Sequence, residues 1–344
     1  MSGAEQFLAL SDAQREQAFE QTAAVRGLDP VIVEKDFWVC WLLGVLWELP
    51  SIAPHVVFKG GTSLSKVYRV IDRFSEDIDL SLAPEFVGAR TELLDAGNSV
   101  TQRDRAMRNM QECCVVTVIN SVKPELERAI TATLGEPENG GDWLDYQFDE
   151  DAQTPLLFFK YPSKRITSAS YIVHTVKLEL GSLTDQQPTG RHTITPFVAE
   201  EYPALFVDWT CEVVALDLAR TFWEKATILH VEYHRPEDRP LPSRYSRHYA
   251  DVARMLLHPD ADRFLADDAM RARVVNWKNR MFPRAWARYD LAKPGSFRLT
   301  PNADRLDDLA RDYVAMQQMF MSDPPSFARI LEQLRAAQEK INGV

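Results

Sequence analysis

Long apolar segments, paired cysteines and an excess of positive charge are all missing from this 344-residue sequence. The longest apolar run, Phe37 to Trp47, has eleven residues, which is too short to span a bilayer and typical of a buried helix. The four cysteines lack the spacing of a zinc site, and Cys113 and Cys114 are adjacent, which predicts reduced core thiols. The N-terminus lacks the basic and apolar regions of a signal peptide, so we expect a cytoplasmic protein without membrane segments.

The charge distribution narrows the possible partners. A net charge of −11 argues against a generally cationic nucleic-acid binder. Segment 271–298 is a local exception, with eight Lys or Arg residues, the single acid Asp290 and five aromatic residues. It is interpreted either as a solvated helix face with core aromatics or as a docking surface for RNA phosphates and unpaired bases. The seven histidines lack metal-ligand spacing, so we expect them at the surface or in loops.

The order of apolar patterns predicts short helices, then mixed helices and strands, and then helices alone. This order indicates an α+β fold. Its first half, residues 1–205, would contain a mixed sheet with flanking helices, and its second half, residues 206–344, would be helical. Some of the predicted elements are helices over 11–26, 30–48, 61–70, 101–132 and 213–231, and strands over 77–82 and 170–181.

One block of the sequence carries a recognisable chemistry. Residues 58–66 are predicted to form a strand, a glycine turn and a helix, and a later strand carries Asp77 and Asp79. Successive strand residues point to opposite faces, so the two aspartates share one face. Neighbouring carboxylates repel each other, and a fold keeps them mainly around a cation. Bare N–H groups at a glycine turn suit an anion, so the block predicts phosphoryl or nucleotidyl transfer.

The sequence of this block resembles the DNA polymerase β-type nucleotidyltransferase superfamily. It reads Gly-Gly-Thr-Ser-Leu-Ser-Lys-x-Tyr, followed by Arg-Phe-Ser-Glu-Asp-Ile-Asp-Leu. It is closer to the AbiEii/AbiGii-type toxins of bacterial abortive-infection (phage-defence) and toxin–antitoxin systems, which share the fifteen residues between Gly61 and Asp77. The resemblance implies a polymerase β-type nucleotidyltransferase core in residues 1–205, an NTP substrate, two Mg²⁺ ions and a cognate antitoxin. It also implies an acceptor such as the 3′ end of tRNA, with a protein hydroxyl as the competing acceptor.

Within this resemblance, Asp77 and Asp79 bind metal. Glu179, on a strand before a glycine, is the candidate third acid, either as a metal ligand or as the base for the attacking hydroxyl. A solvent-facing glutamate beside Lys177, on the exposed side of an edge strand, is the structural alternative.

The glycine turn is predicted to bind the triphosphate. Gly60 and Gly61 let the backbone approach closely, and Thr62 and Ser63 offer hydroxyl donors, with Ser63 as first choice by resemblance. Lys66 lies on the same helix face as Thr62. For Lys66, and equally for Arg73, contact with phosphate and a salt bridge to Glu76 or Asp72 both remain open.

Further motifs lie outside the block. Glu34-Lys35-Asp36 resembles the N-terminal helix of the family, and for Lys35 both an ion pair and a role next to the site are open. Glu224-Lys225 and the helix that carries Asp251 also resemble the family, which implies that Lys225 and Asp251 belong to the active site. The alternative for these two residues is an interhelix ion pair.

Two other functions stay open at the level of sequence. One is a non-catalytic nucleotide sensor or binding module that keeps the fold, although both aspartates are present. The other is a nucleotidyltransferase that acts on a small molecule, against which the basic segment 271–298 argues mildly.

Overall fold

The computed structural model describes residues 4–89, 99–138, 140–164, 174–207 and 209–343. The chain forms two compact units, one of Met1–Val67 and Ser75–Ala215 and one of Tyr68–Phe74 and Leu216–Val344. The division predicted near residue 205 stays a prediction. Among the described residues, no helix combines the length and the apolar character that crossing a bilayer requires.

The first unit contains both helices and strands. Its helices are α1 (Ala4–Leu8), α2 (Asp12–Arg26), α3 (Pro30–Trp47), α4 (Gly60–Lys66), α5 (Val100–Thr117), α6 (Lys123–Leu134) and α7 (Phe197–Glu201). The strands are β1 (Val56–Lys59), β2 (Ile78–Leu82), β3 (Leu144–Asp149), β4 (Thr154–Phe159), β5 (Val176–Gly181), β6 (Thr189–Ile194) and β7 (Cys211–Leu216).

All seven strands belong to one sheet, in the order β3-β4-β5-β2-β1-β7-β6. Strand β2 runs antiparallel to β1 and parallel to β5, so the sheet is mixed. Helix α5 packs against β4 and β5, and α3 contacts β5. The predicted α+β fold, a mixed sheet with flanking helices, is therefore confirmed.

Capping residues set the limits of the N-terminal helices. Ser11 caps α2 and Asp29 caps α3, each through a side-chain oxygen that accepts a backbone N–H, and the helices predicted over 11–26 and 30–48 are confirmed. Helix α4 ends at Lys66, four residues earlier than predicted. Arg69 has a positive φ of 52°, which a continuing right-handed helix does not permit.

Strand β7 was not predicted, because residues 213–231 read as one helix. Cys211, Val213 and Ala215 are buried and alternate with more exposed residues, which is the two-residue period of a strand. The helix begins only after Asp217, whose side chain accepts the N–H of Ala219 at 2.8 Å. The helix prediction is wrong for its first residues.

Two further predictions differ in detail. The strand predicted over 170–181 begins at Val176, and its residues 170–173 lie outside the described ranges. The helical segment predicted over 101–132 is divided into α5 and α6 by a π-helical stretch, Val118–Val122.

The second unit is helical in its described part. Its helices are α8 (Leu218–Tyr233), α9 (Arg247–Met255), α10 (Ala261–Ala266), α11 (Asp268–Met281), α12 (Leu306–Ala315) and α13 (Phe327–Asn342). Helix α8 packs against α9 and α11, and α13 packs against α9 and α10.

Residues 68–74 belong to this helical unit and are tied to it by the backbone. The N–H of Phe74 donates to the carbonyl of Met319 at 2.7 Å, and the N–H of Met321 donates to the carbonyl of Asp72 at 3.2 Å. The Tyr68 hydroxyl donates to the Leu216 carbonyl at 2.8 Å. The link between α4 and β2 is thus an ordered part of the second unit.

The surface position expected for the histidines is wrong for His230, which is fully buried on α8. Its Nε2 lies 3.0 Å from the Arg288 carbonyl, and its Nδ1 accepts the N–H of Arg298 at 3.1 Å. Burial lowers the pKa of His230 to about 4, so the ring is neutral at physiological pH. His230 is a core residue that connects three segments by hydrogen bonds.

The four cysteines are free thiols, as predicted. Cys40, Cys114 and Cys211 are buried, whereas Cys113 is half-buried. Burial raises the pKa of Cys114 to about 11 and that of Cys211 to about 12, so both are protonated core residues.

Candidate active site

Three carboxylates lie close together, with Asp79 on β2, Glu179 on β5 and Asp77 immediately before β2. Asp79 is directly opposite Glu179 in the parallel pairing, and Asp77 precedes Asp79 by two residues. Strand β5 lies between β4 and β2 and is therefore an interior strand. The alternative that placed Glu179 on an edge strand is wrong in this respect. An interior strand holds Glu179 in a fixed register against Asp79.

The opposite face of the same strands is apolar. Ile78, Leu80, Leu178 and Leu180 are all fully buried. Their burial fixes the register, because a slip of one residue would turn these side chains outward and the carboxylates inward. The alternation seen in the sequence therefore determines which face carries the acids.

The glycine turn lies directly against one of these acids. Gly60 has a φ of +80°, and a Cβ at this position would lie 1.8 Å from Oδ2 of Asp79 and 2.9 Å from its Cβ. Only glycine satisfies both the backbone conformation and the contact. Gly60 and Asp79 are thus in direct van der Waals proximity.

The hydroxyl groups of the turn are engaged within the protein. Thr62 is buried, and its Oγ1 donates to the carbonyl of Asp77 and lies 3.0 Å from Oγ of Ser75. Ser63 is also buried, and its hydroxyl donates to the carbonyl of Gly60 at 3.0 Å. These bonds fasten the start of α4 to the segment that carries the aspartates.

Lys177 is a residue that sequence reasoning did not assign to the site. Its Nζ lies 2.8 Å from Oδ2 of Asp77 and 3.9 Å from Oε2 of Glu179. Burial alone would lower the pKa of Lys177, but Asp77, Glu179 and Asp79 raise it above its ordinary value. The signal was present in the sequence, since Lys177 precedes Glu179 by two residues and shares its face.

The acids repel each other in spite of this lysine. Burial, and after it the Asp79 carboxylate, raise the pKa of Glu179, while Lys59 and Lys177 oppose the shift. Lys59 is the partner of Asp79 on β1. Around Asp79 and Glu179, three acids and two lysines therefore act on one another.

The donor set fits a hard divalent cation. Among the residues that the structure describes, no three His, Cys, Asp or Glu side chains are already arranged as a metal cage. Asp77, Asp79 and Glu179 nevertheless supply the carboxylate oxygens that Mg²⁺ prefers. The ammonium of Lys177 stands in for a cation at Asp77.

Lys66 points into the protein and pairs with an acid there, whereas a contact with phosphate would require its ammonium group to be accessible. It is buried, its Nζ lies 2.7 Å from Oδ1 of Asp36, and it stands 4.0 Å from the ring centre of Phe197. Its partner is Asp36 and neither of the acids weighed from the sequence, Glu76 and Asp72. Lys66 anchors α4 to α3.

Each residue of the motif Glu34-Lys35-Asp36 contacts a different segment of the chain, and the partner of Asp36 is Lys66. Lys35 donates to Glu76 at 2.5 Å, and Glu34 accepts from the hydroxyl of Ser163 at 3.1 Å. Because Glu76 immediately precedes Asp77, the buried Lys35 supports the segment from which the first aspartate projects. The ion pair left open for Lys35 is present.

In the second unit, Lys225 and Asp251 form a buried ion pair with Arg73. Nζ of Lys225 lies 2.9 Å from Oδ2 of Asp251, and the Arg73 guanidinium donates to both Asp251 oxygens at 2.8 Å. Burial would raise the pKa of Asp251, but Arg73 and Lys225 bring it well below its ordinary value. Arg73 thus pairs with Asp251, which lies far from it in sequence.

The basic segment 271–298 divides into internal and surface residues. Arg271 is buried beside Asp268, and Lys278 pairs with Glu224 at 3.0 Å. Phe297 is fully buried. For these residues the interpretation as core and helix-face residues is correct.

A cluster of arginines surrounds the half-buried Trp286. The guanidinium carbons of Arg235, Arg239 and Arg284 lie 5.3, 5.6 and 5.6 Å from its ring centre. Arg235 pairs with Glu232 at 2.6 Å. Arg239 and Arg284 are exposed, and among the described residues no carboxylate lies within salt-bridge distance of either.

The sequence and the structure were compared with those of known proteins. MenT4, a nucleotidyltransferase toxin from Mycobacterium tuberculosis H37Rv, matches in structure with 15% identity and a TM-score of 0.48, over 98% of this chain and 91% of that chain. No curated protein sequence matches significantly. The family described as nucleotidyl transferase AbiEii toxin, type IV toxin–antitoxin system, matches residues 41–337. The chain therefore belongs to the AbiEii family of nucleotidyltransferase toxins.

Proposed function

We propose that this nucleotidyltransferase uses Mg²⁺ to transfer a nucleoside monophosphate from an NTP to an RNA acceptor such as the 3′ end of tRNA. The observation that carries the metal assignment is the pairing of Asp79 with Glu179 on adjacent strands, with Asp77 just before the first of them and Asp79 against the Gly60 turn. As the toxin of a type IV pair, it would be restrained by a cognate antitoxin. We place its action in the cytoplasm and in phage defence.

Three carboxylates would hold the metal. Asp77, Asp79 and Glu179 are the proposed ligands for two Mg²⁺ ions. Bound Mg²⁺ would neutralise phosphate charge and orient the attacking and leaving oxygens. The raised pKa of Glu179 also suits a group that accepts the proton of the acceptor hydroxyl.

The turn Gly60–Ser63 is proposed to bind the triphosphate. Gly60 and Gly61 leave the backbone bare, so phosphate oxygens can approach its N–H groups closely. Thr62 and Ser63 would act chiefly by shaping this turn, since their hydroxyls donate to backbone carbonyls. Lys66 would keep the turn in place through Asp36.

For Lys225 and Asp251 we propose the roles that the family resemblance implies. Lys225 would neutralise charge that builds on the triphosphate. Asp251 would orient Lys225, because both of its carboxylate oxygens are already engaged by Arg73 and Lys225.

The RNA acceptor is supported by the cluster around Trp286. Arg239 and Arg284 present exposed guanidinium groups without a carboxylate partner in the described part of the chain. Arginines of this kind bind backbone phosphates, and an indole offers a surface on which an unpaired base can stack. A small-molecule acceptor would have no use for such a surface.

A labelled-transfer assay tests the reaction. Purified protein is incubated with Mg²⁺ and each of the four α-labelled NTPs, with total tRNA or cell protein as acceptor. We expect label in tRNA, and a loss of at least about a hundredfold in the Asp77→Asn/Asp79→Asn variant. Label in a protein band would change the acceptor class. NTP binding without any transfer would favour the nucleotide sensor.

The salt dependence of RNA binding tests the acceptor surface separately. In the Arg239→Gln/Arg284→Gln variant, the slope of log affinity against log salt should fall by about 0.7 for each RNA phosphate that the variant no longer binds. Arg288→Gln is the matched control, since Arg288 is exposed but already paired with Asp290 at 2.9 Å. Equal slopes in all three proteins would remove the cluster from the proposal.

A further inference from the structure

Lys177 lies in the position of a cation within the proposed metal site. Its ammonium contacts Asp77 at 2.8 Å and lies 3.9 Å from Glu179. Both of these acids are proposed Mg²⁺ ligands. A divalent cation bound to Asp77 would repel an ammonium group at this distance, so the two cannot share the carboxylate in this arrangement.

The contact between Lys177 and Asp77 is one that can be exchanged. The side chains of Lys177 and Asp77 are 28% and 37% exposed, and an ion pair with such access to water contributes at most about 1 kcal/mol. A lysine is a flexible chain with a compact charge, and it can reach a new partner by rotation of its side chain.

Two buried lysines near the site are fixed in place. Lys35 and Lys66 are almost completely buried, and each contacts an acid, Glu76 and Asp36 respectively. Moving either of them would leave a buried charge without its partner, which is costly. Lys177, by contrast, combines contact with a proposed metal ligand and access to solvent.

We propose that Lys177 occupies the metal position at Asp77 in the nucleotide-free protein and transfers to the triphosphate when NTP binds, so that metal and NTP bind interdependently. This inference rests on the proposed function. An NTP brings both the metal and an anionic partner for the displaced ammonium, whereas metal alone must displace the lysine without offering it one. The nucleotide-free toxin would consequently have a low affinity for metal.

Metal binding measured without turnover tests this proposal. Mn²⁺ binding is followed by electron paramagnetic resonance, with and without α,β-methylene analogues of the four NTPs. In the wild type, the analogue should tighten Mn²⁺ binding strongly. In Lys177→Met, Mn²⁺ affinity without nucleotide should rise by up to about fivefold, and the effect of the analogue on Mn²⁺ affinity should shrink by the same factor.

Two variants serve as controls. Lys59→Met removes a neighbouring charge at the partner position of Asp79, so it should raise Mn²⁺ affinity less and keep the effect of the analogue. Lys177→Arg retains the positive charge and should behave like the wild type, which separates loss of charge from misfolding.

Different failures have different meanings. Coupling between Mn²⁺ and the analogue that is as strong in Lys177→Met as in the wild type would overturn the role of Lys177 and leave the metal site standing. Mn²⁺ binding that is unaffected by Asp77→Asn/Asp79→Asn would overturn both the lysine exchange and the proposed metal site.

Discussion

Asp77 and Asp251 are both aspartates paired with a lysine, one in each unit of the protein, yet they differ in every other respect. Asp77 is 37% exposed and pairs with Lys177 at 2.8 Å. Asp251 is 1% exposed and is held by Arg73 and Lys225 together. The first pair can open to a ligand at small cost, whereas the second is a fixed part of the helical core.

Both aspartates belong to sequence motifs that resemble the family. The difference in their exposure and pairing indicates which of them serves catalysis and which serves stability. An accessible carboxylate with an exchangeable partner is available for chemistry. A buried carboxylate with two cationic partners mainly determines where those partners lie. Substituting the two aspartates should therefore change different quantities.

The largest effect is expected for Asp251→Asn. This change leaves Arg73 and Lys225 buried without a counter-charge, so the free energy of unfolding should fall by about 3–5 kcal/mol. Urea unfolding followed by circular dichroism measures it. Asp77→Asn is the matched substitution, and its effect should stay within about 1 kcal/mol because the pair is solvated.

Similar losses in both variants would erase the distinction between the two aspartates. A stable Asp251→Asn variant that is inactive would instead assign Asp251 to the chemistry alone.

Acid should weaken the helical unit through His230. Its folded-state pKa of about 4 lies below the ordinary value of 6.5, so its contribution is complete above pH 6.5 and is lost as pH falls toward 4. At 1.36 kcal/mol per pKa unit the loss amounts to about 3 kcal/mol.

Urea unfolding at pH values from 7 to 4 measures this slope. His230→Gln removes the titrating ring and should flatten the curve in this range, although the variant is less stable at pH 7. An unchanged slope would mean that other groups carry the acid sensitivity.

A smaller effect on stability, but a large one on the site, is expected for Gly60→Ala. Positive φ at a non-glycine residue costs about 1–2 kcal/mol, and Gly88→Ala, at a φ of +73° with no atom within 4 Å, should show this cost alone. Gly60→Ala must in addition displace Asp79, so transfer activity should be lost only there. Thermal unfolding and the transfer assay measure the two quantities.

The sequence was sufficient for the parts of the fold in which local pattern and tertiary structure agree. The Asp-x-Asp alternation predicted the shared face, and Ser11 as a cap and Pro30 as a first helical residue predicted where the first long helices begin. Strand β7 was missed because six residues before a helix carry too little local signal against the helical pattern that follows.

The interhelix ion pair left open for Lys225 and Asp251 is present, but the partners of Lys66 and Arg73 could not have been predicted, for a different reason. Lys66 and Asp36 are 30 residues apart, and Arg73 and Asp251 are 178 apart. Sequence reasoning weighs acids that are close along the chain, such as Glu76 and Asp72. Long-range pairing is decided by the packing of whole elements, which no local pattern contains.

The assignment of Tyr68–Phe74 to the helical unit limits where the gene can be divided without separating residues that pack together. The chain changes unit three times, so no single cut yields two intact pieces. A fragment that ends at Ala215 would contain Arg73 without Asp251, and the complementary fragment would contain Asp251 without Arg73. Recombination after the codon for Ala215 would combine Arg73 from one relative with Asp251 from another. We therefore expect the coding regions of the two units to be inherited together.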